Sequence, residues 1–232
     1  MSIGLLMKKT IAGIFLTCHL AIAYAVDCSS TISTAISETA PCTLPSGGMT
    51  IEATGSLTQV NTNLAAITFN AGSSSGINNL GILVIPINGG SPKPSVIDIT
   101  GGTLTSGIVN AGTLGTLTAG ANEGIRVQNA IVNGGVTNLV SGSVSVGEVA
   151  LMFKTATLNG GVNNAGNIFG AWSFFSAGYG STVNGGFVNS GSLSANIYGF
   201  DLYSGAKLSL FRAFAPPNCQ HAGIFRRVLR DH

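Results

Sequence analysis

Three stretches of the chain repeat one phrase, which reads VNGGVTN at 132–138, LNGGVNN at 158–164 and VNGGFVN at 183–189. Each copy joins an aliphatic residue to Asn-Gly-Gly and carries another asparagine five residues after the first. Shorter forms precede them: FNAG at 69–72, INGG at 87–90 and VNAG at 109–112. From Asn88 onward, the first asparagines of successive phrases lie 22, 23, 26 and 25 residues apart. A period in the twenties is typical of a solenoid.

Short alternating stretches separate these phrases, as in Thr103-Leu104-Thr105 and Ser143-Val144-Ser145-Val146. Alternation with period two places aliphatic side chains on one face of a strand and hydroxyls on the other. One such repeat cannot bury its apolar face alone, whereas stacked repeats share a continuous interior. We therefore predict an all-β fold, a right-handed parallel β-helix (solenoid) of roughly six coils. Neighbouring coils are expected to hydrogen-bond to each other at the distance that separates strands in a sheet. A β-sandwich with Asn-Gly hairpins is the alternative.

Asparagines at equivalent corners of such coils are expected to stack as ladders, in which each side-chain amide hydrogen-bonds to the next. The glycines beside them supply the positive φ that a sharp corner requires. The predicted structural asparagines of the repeats are Asn110, Asn133, Asn138, Asn159, Asn164, Asn184 and Asn189.

Residues 1–25 have the pattern of a secretory signal peptide, with Lys8 and Lys9 before an apolar run and small residues at the cleavage site. Cleavage is predicted after Ala25. The apolar run is too short to cross a bilayer comfortably, so we expect no membrane-spanning segment in the mature chain. The segment predicts that the export machinery is a partner of the chain. It also predicts that the protein is finally located in the periplasm, at the cell surface or outside the cell.

The mature chain divides into three predicted segments. Residues 26–49 form a Ser/Thr-rich lead-in, in which Cys28 and Cys42 are expected to close a disulfide under oxidising conditions, with two unpaired thiols as the alternative. Residues 50–210 form the repeat region. Residues 211–232 form an arginine-rich tail that differs abruptly in composition, so it is interpreted as a product of truncation or frameshift, or alternatively as a genuine interfacial tail.

Composition excludes several classes of function. Charged residues make up 8% of the chain and the formal net charge is +2, so a nucleic-acid partner is not expected. Once the chain is cleaved after Ala25, its only histidines are His221 and His232, and both lie in the tail. We therefore predict no metal site and no other cofactor.

We predict no catalytic residues, and therefore no enzyme. The alternative is a β-helical carbohydrate-active enzyme that uses Glu123 and Glu148, because their 25-residue spacing matches one coil and glycoside hydrolysis needs two nearby carboxylates. A serine nucleophile lacks a histidine partner outside the tail.

One aromatic cluster is a possible binding patch, and it consists of Trp172, Phe174, Phe175 and Tyr179. Exposed aromatic rings on a polar rod would contact carbohydrate or protein. The alternative is that the rings stack inside the solenoid.

The signal segment, the Ser/Thr-rich lead-in and the VNGG and VNAGTL phrases together resemble the passenger region of Gram-negative autotransporters, the type V secretion family. The resemblance covers the signal and about residues 50–210. It implies a β-helix displayed outside the cell, a role in adhesion, and a host or cell-surface protein or glycan as partner. It also implies a C-terminal membrane barrel, for which residues 211–232 are too few. A truncated autotransporter fragment without independent function is therefore a further alternative.

Overall fold

The computed structural model describes residues 26–86, 94–116, 123–203, 205–209 and 211–213. The predicted signal segment, Asn88 and the tail beyond residue 213 lie outside the described residues. The described residues form strands, turns and loops, and none of them belongs to a helix of the length and apolarity needed to cross a membrane.

The described part of the chain forms 29 strands that follow a repeating order. The first two turns contain three strands each: β1 (Val26–Asp27), β2 (Thr31–Ile32), β3 (Ala35–Glu38), β4 (Cys42–Thr43), β5 (Met49–Ile51) and β6 (Ser56–Gln59). Two turns of four strands follow: β7 (Ile67–Phe69), β8 (Ser73–Ser74), β9 (Ile77–Asn79), β10 (Ile82–Ile85), β11 (Ser95–Ile99), β12 (Thr103–Leu104), β13 (Ile108–Asn110) and β14 (Thr113–Thr116).

The same order continues through the later turns. These contain β15 (Glu123–Gln128), β16 (Ile131–Val132), β17 (Val136–Asn138), β18 (Ser143–Val146), β19 (Val149–Lys154), β20 (Thr157–Asn159), β21 (Val162–Asn164), β22 (Asn167–Gly170), β23 (Ser173–Gly178), β24 (Thr182–Asn184), β25 (Phe187–Asn189) and β26 (Ser192–Ala195). The last described strands are β27 (Tyr198–Leu202), β28 (Lys207–Leu208) and β29 (Phe211–Ala213).

Each strand pairs in parallel with the equivalent strand of the next turn, so the described strands build four sheets along the stack. Sheet 1 has the order β1-β4-β7-β11-β15-β19-β23-β27, and sheet 2 has the order β8-β12-β16-β20-β24-β28. Sheet 3 is β2-β5-β9-β13-β17-β21-β25-β29, and sheet 4 is β3-β6-β10-β14-β18-β22-β26. The predicted parallel β-solenoid of about six turns is confirmed. The alternative β-sandwich would need antiparallel hairpins.

Alternation along each strand sends one set of side chains into a continuous core. In sheet 4 the inward column consists of Leu57, Leu83, Leu114, Val144, Ile168 and Leu193. In sheet 1 the inward column is aliphatic from Ile67 to Leu151 and becomes aromatic at Phe175 and Phe200. The core of the last turns is therefore filled mainly by phenylalanine rings, whereas the core of the earlier turns is mostly aliphatic and includes Phe69.

A ladder of buried asparagines runs along the end of sheet 3. Each Asn Nδ2 donates to the Oδ1 of the next asparagine, at 2.7, 2.8, 2.8 and 2.6 Å, and the members are Asn79, Asn110, Asn138, Asn164 and Asn189. Their intervals are 31, 28, 26 and 25 residues, so the turns shorten along the chain.

A second asparagine ladder lies at the exposed corner after sheet 2. Asn184 Nδ2 donates to Asn159 Oδ1, and Asn159 Nδ2 donates to Asn133 Oδ1, both at 2.9 Å. The sequence spacing placed Asn110 in line with Asn133, and this alignment is wrong because β13 pairs Asn110 with Asn138. The seven predicted asparagines therefore divide between two ladders, and Asn79 joins the buried one.

Glycines occupy the corner before sheet 3 in six successive turns, from Gly48 to Gly186. The column consists of Gly48, Gly76, Gly107, Gly135, Gly161 and Gly186, and each has a positive φ. A Cβ on Gly135 would overlap the carbonyl oxygen of Gly161 in the next turn. The close stacking of turns thus requires glycine here for two reasons, conformation and space.

A disulfide joins Cys28 to Cys42 near the beginning of the described chain, with 5.3 Å between the Cα atoms. Cys42 begins β4, is fully buried, and lies in register with Ile67 of sheet 1. The first turn is short, because Val26 of β1 already pairs with Cys42 of β4. The segment 26–49 therefore contributes strands to three of the four sheets.

Candidate binding groove

A groove of about 350 Å³ lies on the outer face of sheet 1, across β19, β23 and β27. This volume is near the lower end of the range for small-molecule sites, roughly 300–1,000 Å³. We call it the sheet-1 groove. Six of the residues that line it are Glu148, Lys154, Trp172, Tyr179, Asp201 and Tyr203.

Small residues of the middle strand, Ser176 and Gly178, form the floor of the groove. Ser176 of β23 lies in register between Met152 of β19 and Asp201 of β27, so these three side chains form an outward column. At Gly178 a Cβ would come within 2.8 Å of the Tyr203 Cβ. The glycine therefore allows the Tyr203 ring to lie close over β23.

Trp172 lines one end of the groove, and Tyr198 packs against it. Both residues lie at the corner where the chain enters sheet 1, and the Tyr198 N–H donates to the Trp172 carbonyl at 2.8 Å. Their ring centroids are 5.5 Å apart with an edge-to-face orientation. Trp172 stays 44% exposed. The pair thus combines a fixed backbone with an accessible indole ring.

A second pair, Tyr179 and Tyr203, lies at the other end of sheet 1. The two rings stack with centroids 6.1 Å apart, and Lys154 Nζ lies 4.9 Å from the centre of the Tyr179 ring. Tyr179 is 63% exposed. It has a φ of 54°, in the left-handed region that a bulky residue rarely adopts. Asn129 and Thr155 occupy the same corner in the two preceding turns and have φ values of 50° and 51°. The left-handed conformation therefore belongs to the corner of the solenoid, and it turns the Tyr179 position away from the strand.

The structure divides the predicted aromatic patch into surface and core residues. Phe175 is fully buried, and its ring lies 5.4 Å from Phe153 and 5.1 Å from Phe200. Phe174 is 6% exposed and packs edge-on against Phe200 at 4.9 Å. The two phenylalanines therefore belong to the core, because packing inside the solenoid removes both from solvent, and only Trp172 and Tyr179 reach the surface.

Two tyrosines were missed from the sequence: Tyr203, which lines the groove, and Tyr198, which packs against Trp172. Each is isolated from other aromatic residues in its own segment, and only the pairing of β23 with β27 brings it beside Trp172 or Tyr179. The sequence does contain one signal that could have identified Tyr198. Trp172 and Tyr198 are separated by about the same number of residues as neighbouring asparagines of the ladder, and this number corresponds to one turn of the solenoid.

The polar groups of the groove carry more negative than positive charge. Glu148 and Asp201 contribute carboxylates, while Lys154 contributes one ammonium group close to the Tyr179 ring. The groove therefore combines exposed aromatic rings with hydrogen-bond acceptors, as sites for oriented ligands do.

Glu123 and Glu148 differ in burial and in their contacts. Glu123 is 7% exposed and accepts a hydrogen bond from Ser95 Oγ at 2.7 Å, whereas Glu148 lines the groove. Arg126 binds Asp98 through two hydrogen bonds and also approaches Glu123 at 3.4 Å. Burial raises the pKa of Glu123 above its ordinary value of 4.5, against the opposing effects of Ser95 and Arg126, and the negative charges of Glu148 and Asp98 raise it further. The spacing of 25 residues thus brings these two glutamates to adjacent turns but to different environments.

Among the described residues, no group of three or more His, Cys, Asp or Glu side chains is arranged to hold a metal ion. No protein-family model matches the chain, and neither the curated proteins nor the solved structures contain a match.

Proposed function

We propose that this protein is an exported interaction module that acts in adhesion or another cell-surface contact, by binding and not by catalysis. The observation that carries the proposal is the sheet-1 groove, which is lined by the exposed rings of Trp172, Tyr179 and Tyr203. Aromatic rings gathered on a surface solvated mainly by hydroxyl and amide groups are typical of contact sites, because they bury a large apolar area on binding.

The scaffold beneath the groove is rigid, which favours recognition. β23 is paired on both sides, with β19 and β27, and the phenylalanine cluster fills the core directly beneath it. A site built on packed strands keeps its geometry better than one built on loops. The partner would be a protein or glycan of a host cell or of another cell surface.

The export part of the proposal is supported by the pattern of the N-terminal segment and by the resemblance to autotransporter passengers. We expect the full-length chain, produced in a Gram-negative cell, to be recovered outside the cytoplasm with Val26 as its first residue. Cell fractionation and N-terminal sequencing check this. A product that stays in the cytoplasm and begins at Met1 or Met7 would contradict the export proposal.

The groove itself is tested by attachment. Beads coated with the exported protein should attach to target cells, and the double variant Trp172→Ala/Tyr179→Ala should lose most of this attachment. Val140→Ala is the matched control, since Val140 is 80% exposed and lies between sheets 3 and 4, away from the groove. Equal attachment of the groove variant and the control would reject the proposed function.

A further inference from the structure

The two aromatic pairs are separated by the length of a strand. Trp172 precedes β23 and Tyr179 follows it, and the six residues of β23 span about 17 Å at roughly 3.3 Å per residue. Rings this far apart do not enclose one small cation, which requires several rings within about 6 Å of the charge. They suit a long ligand that contacts one pair at each end.

Between the two aromatic pairs, the groove offers hydrogen-bond acceptors above a polar floor. Asp201 and Glu148 offer carboxylate oxygens, and Ser176 lies on the floor between β19 and β27. A sugar ring has apolar C–H faces that pack on aromatic rings and hydroxyl groups that donate to carboxylates. Both kinds of group are therefore present in the groove.

The charged groups of the groove favour an uncharged saccharide over an acidic one. The groove contains two carboxylates and one ammonium group, and that ammonium group already lies against the Tyr179 ring. A chain of uronic acids or sulfated sugars would bring further negative charge beside Glu148 and Asp201, and like charges at short range repel. An uncharged chain avoids this repulsion.

The strand pairing disfavours an extended peptide in the same place. Peptides that bind to sheets usually add to an unpaired edge, where backbone groups are free to hydrogen-bond. The strand at the middle of the groove, β23, has both of its edges paired. A ligand here must be held by side chains across the face of the sheet.

We propose that the sheet-1 groove binds an extended, uncharged oligosaccharide that lies along β23, with sugar rings packed at the Trp172–Tyr198 pair and at the Tyr179–Tyr203 pair. Asp201 and Glu148 accept hydrogen bonds from its hydroxyl groups. This inference rests on the proposed function and names the class of ligand.

The test uses the exported full-length protein on an array of neutral and acidic hexasaccharides, including cellohexaose, maltohexaose, the hexamer of N-acetylglucosamine and hexagalacturonate. Hits are measured again by titration calorimetry. At least one neutral hexamer should bind, and hexagalacturonate should bind more weakly. Trp172→Ala and Tyr179→Ala, one at each end, should each weaken binding about tenfold or more, which corresponds to about 1.4 kcal/mol.

Two further variants keep the result interpretable if either alanine variant fails to fold. Asp201→Asn keeps an acceptor and removes a charge, so it should reduce the preference for the neutral over the acidic hexamer. Val140→Ala should bind like the unaltered protein. Circular dichroism and the Tm establish that each variant is folded.

The outcomes separate this inference from the proposed function. If no neutral chain on the array binds, or if hexagalacturonate binds more tightly than every neutral chain, the saccharide proposal is overturned. When cell attachment still depends on Trp172 and Tyr179 in that case, the groove is a contact site for a protein. Shorter sugars appearing during the titration would instead overturn the non-enzymatic function.

Discussion

Asn79 has one satisfied and one unsatisfied polar atom at the end of the buried ladder. Its Nδ2 donates to Asn110 and to the Thr113 carbonyl, whereas its buried Oδ1 has no hydrogen-bond partner among the described residues. The reason lies one turn earlier, where Ile51 occupies the equivalent position in β5. The ladder ends where the chain replaces an amide with an aliphatic side chain.

Because Asn79 Oδ1 has no partner among the described residues, we expect the fold to tolerate a new asparagine better at position 51 than at position 77. Ile51→Asn supplies a donor opposite Asn79 Oδ1, whereas Ile77→Asn places an amide in an aliphatic column beside Met49 and Ile108. We expect Ile77→Asn to be the more destabilising variant by about 1–3 kcal/mol, the penalty for an unpaired buried polar group. Urea unfolding of both variants measures the difference. Equal losses of stability would show that Asn79 gains nothing from a new partner.

Glu123 predicts a specific dependence of stability on pH. Because burial raises its pKa in the folded state, the folded protein binds the proton more tightly than the unfolded chain does. Its contribution to stability is then fully present below about pH 4.5, the ordinary value, and is lost as pH rises through the raised pKa. Glu123→Gln keeps an oxygen that accepts from Ser95 and does not titrate.

The free energy of unfolding of Glu123→Gln, relative to that of the unaltered protein, should therefore increase between pH 4 and pH 7. Urea titrations across this range measure both proteins, and the subtraction removes the contributions of the other ionisable groups. A difference that stays constant, or that decreases with pH, would show that Arg126 and Ser95 outweigh the burial of the carboxylate.

At the scale of the element, the glycine column sets how closely neighbouring turns approach. Gly135→Ala places a Cβ against the Gly161 carbonyl oxygen and forces alanine to a φ of 68°. Gly72→Ala is the matched control, since Gly72 has a φ of 81° and open space around the position of the Cβ. The pair separates steric overlap from conformational strain.

We expect Gly72→Ala to cost about 1–2 kcal/mol, the penalty of the left-handed conformation. Gly135→Ala should cost about 1–3 kcal/mol more, the range for overpacking a tight interior. Thermal and urea unfolding provide both values. If the two substitutions are equally destabilising, the corner has room to relax and the column does not determine the spacing of the turns.

The sequence predicted best those elements in which a given residue type keeps the same position in every repeat. The VNGG phrases predicted stacked parallel strands because hairpins would not repeat at a fixed interval. The alignment of Asn110 failed because an aliphatic residue followed by asparagine occurs at two places in a turn. Asn110 ends β13 of sheet 3, whereas Asn133 follows β16 of sheet 2. The adjacent residues Phe174 and Phe175 are both buried, which simple alternation does not predict.

At the scale of the whole molecule, the disulfide stabilises the first turn of the stack. Cys28 and Cys42 are separated by 14 residues, and Cys42 lies in the core of the second turn. A closed loop of this length lowers the entropy of the unfolded chain by an amount equivalent to about 3 kcal/mol.

Reduction of the disulfide should therefore lower the free energy of unfolding by about 3 kcal/mol. Urea unfolding with and without dithiothreitol measures this, and Cys28→Ser/Cys42→Ser is the control that should not respond to the reductant. An unaltered protein whose stability is the same in both buffers would contradict the prediction.

The candidate site could be predicted only in part, because it depends on register across three turns. Trp172 and Tyr179 lie within one aromatic segment and were found there. Tyr198 and Tyr203 join them through the pairing of β23 with β27, which spacing alone does not fix to the residue. The site is a property of the assembled stack.

The direction of the asparagine hydrogen bonds gives the rod an electrical polarity. In the buried ladder the Nδ2 groups of Asn79, Asn110, Asn138 and Asn164 each donate toward the later turn, so these four amide dipoles add, with their oxygen ends toward the first turns and their nitrogen ends toward Asn189. In the exposed ladder the donors point the opposite way. The two ends of the solenoid are therefore electrically unlike, and an additional turn would extend the buried dipole only by placing an amide in the same register.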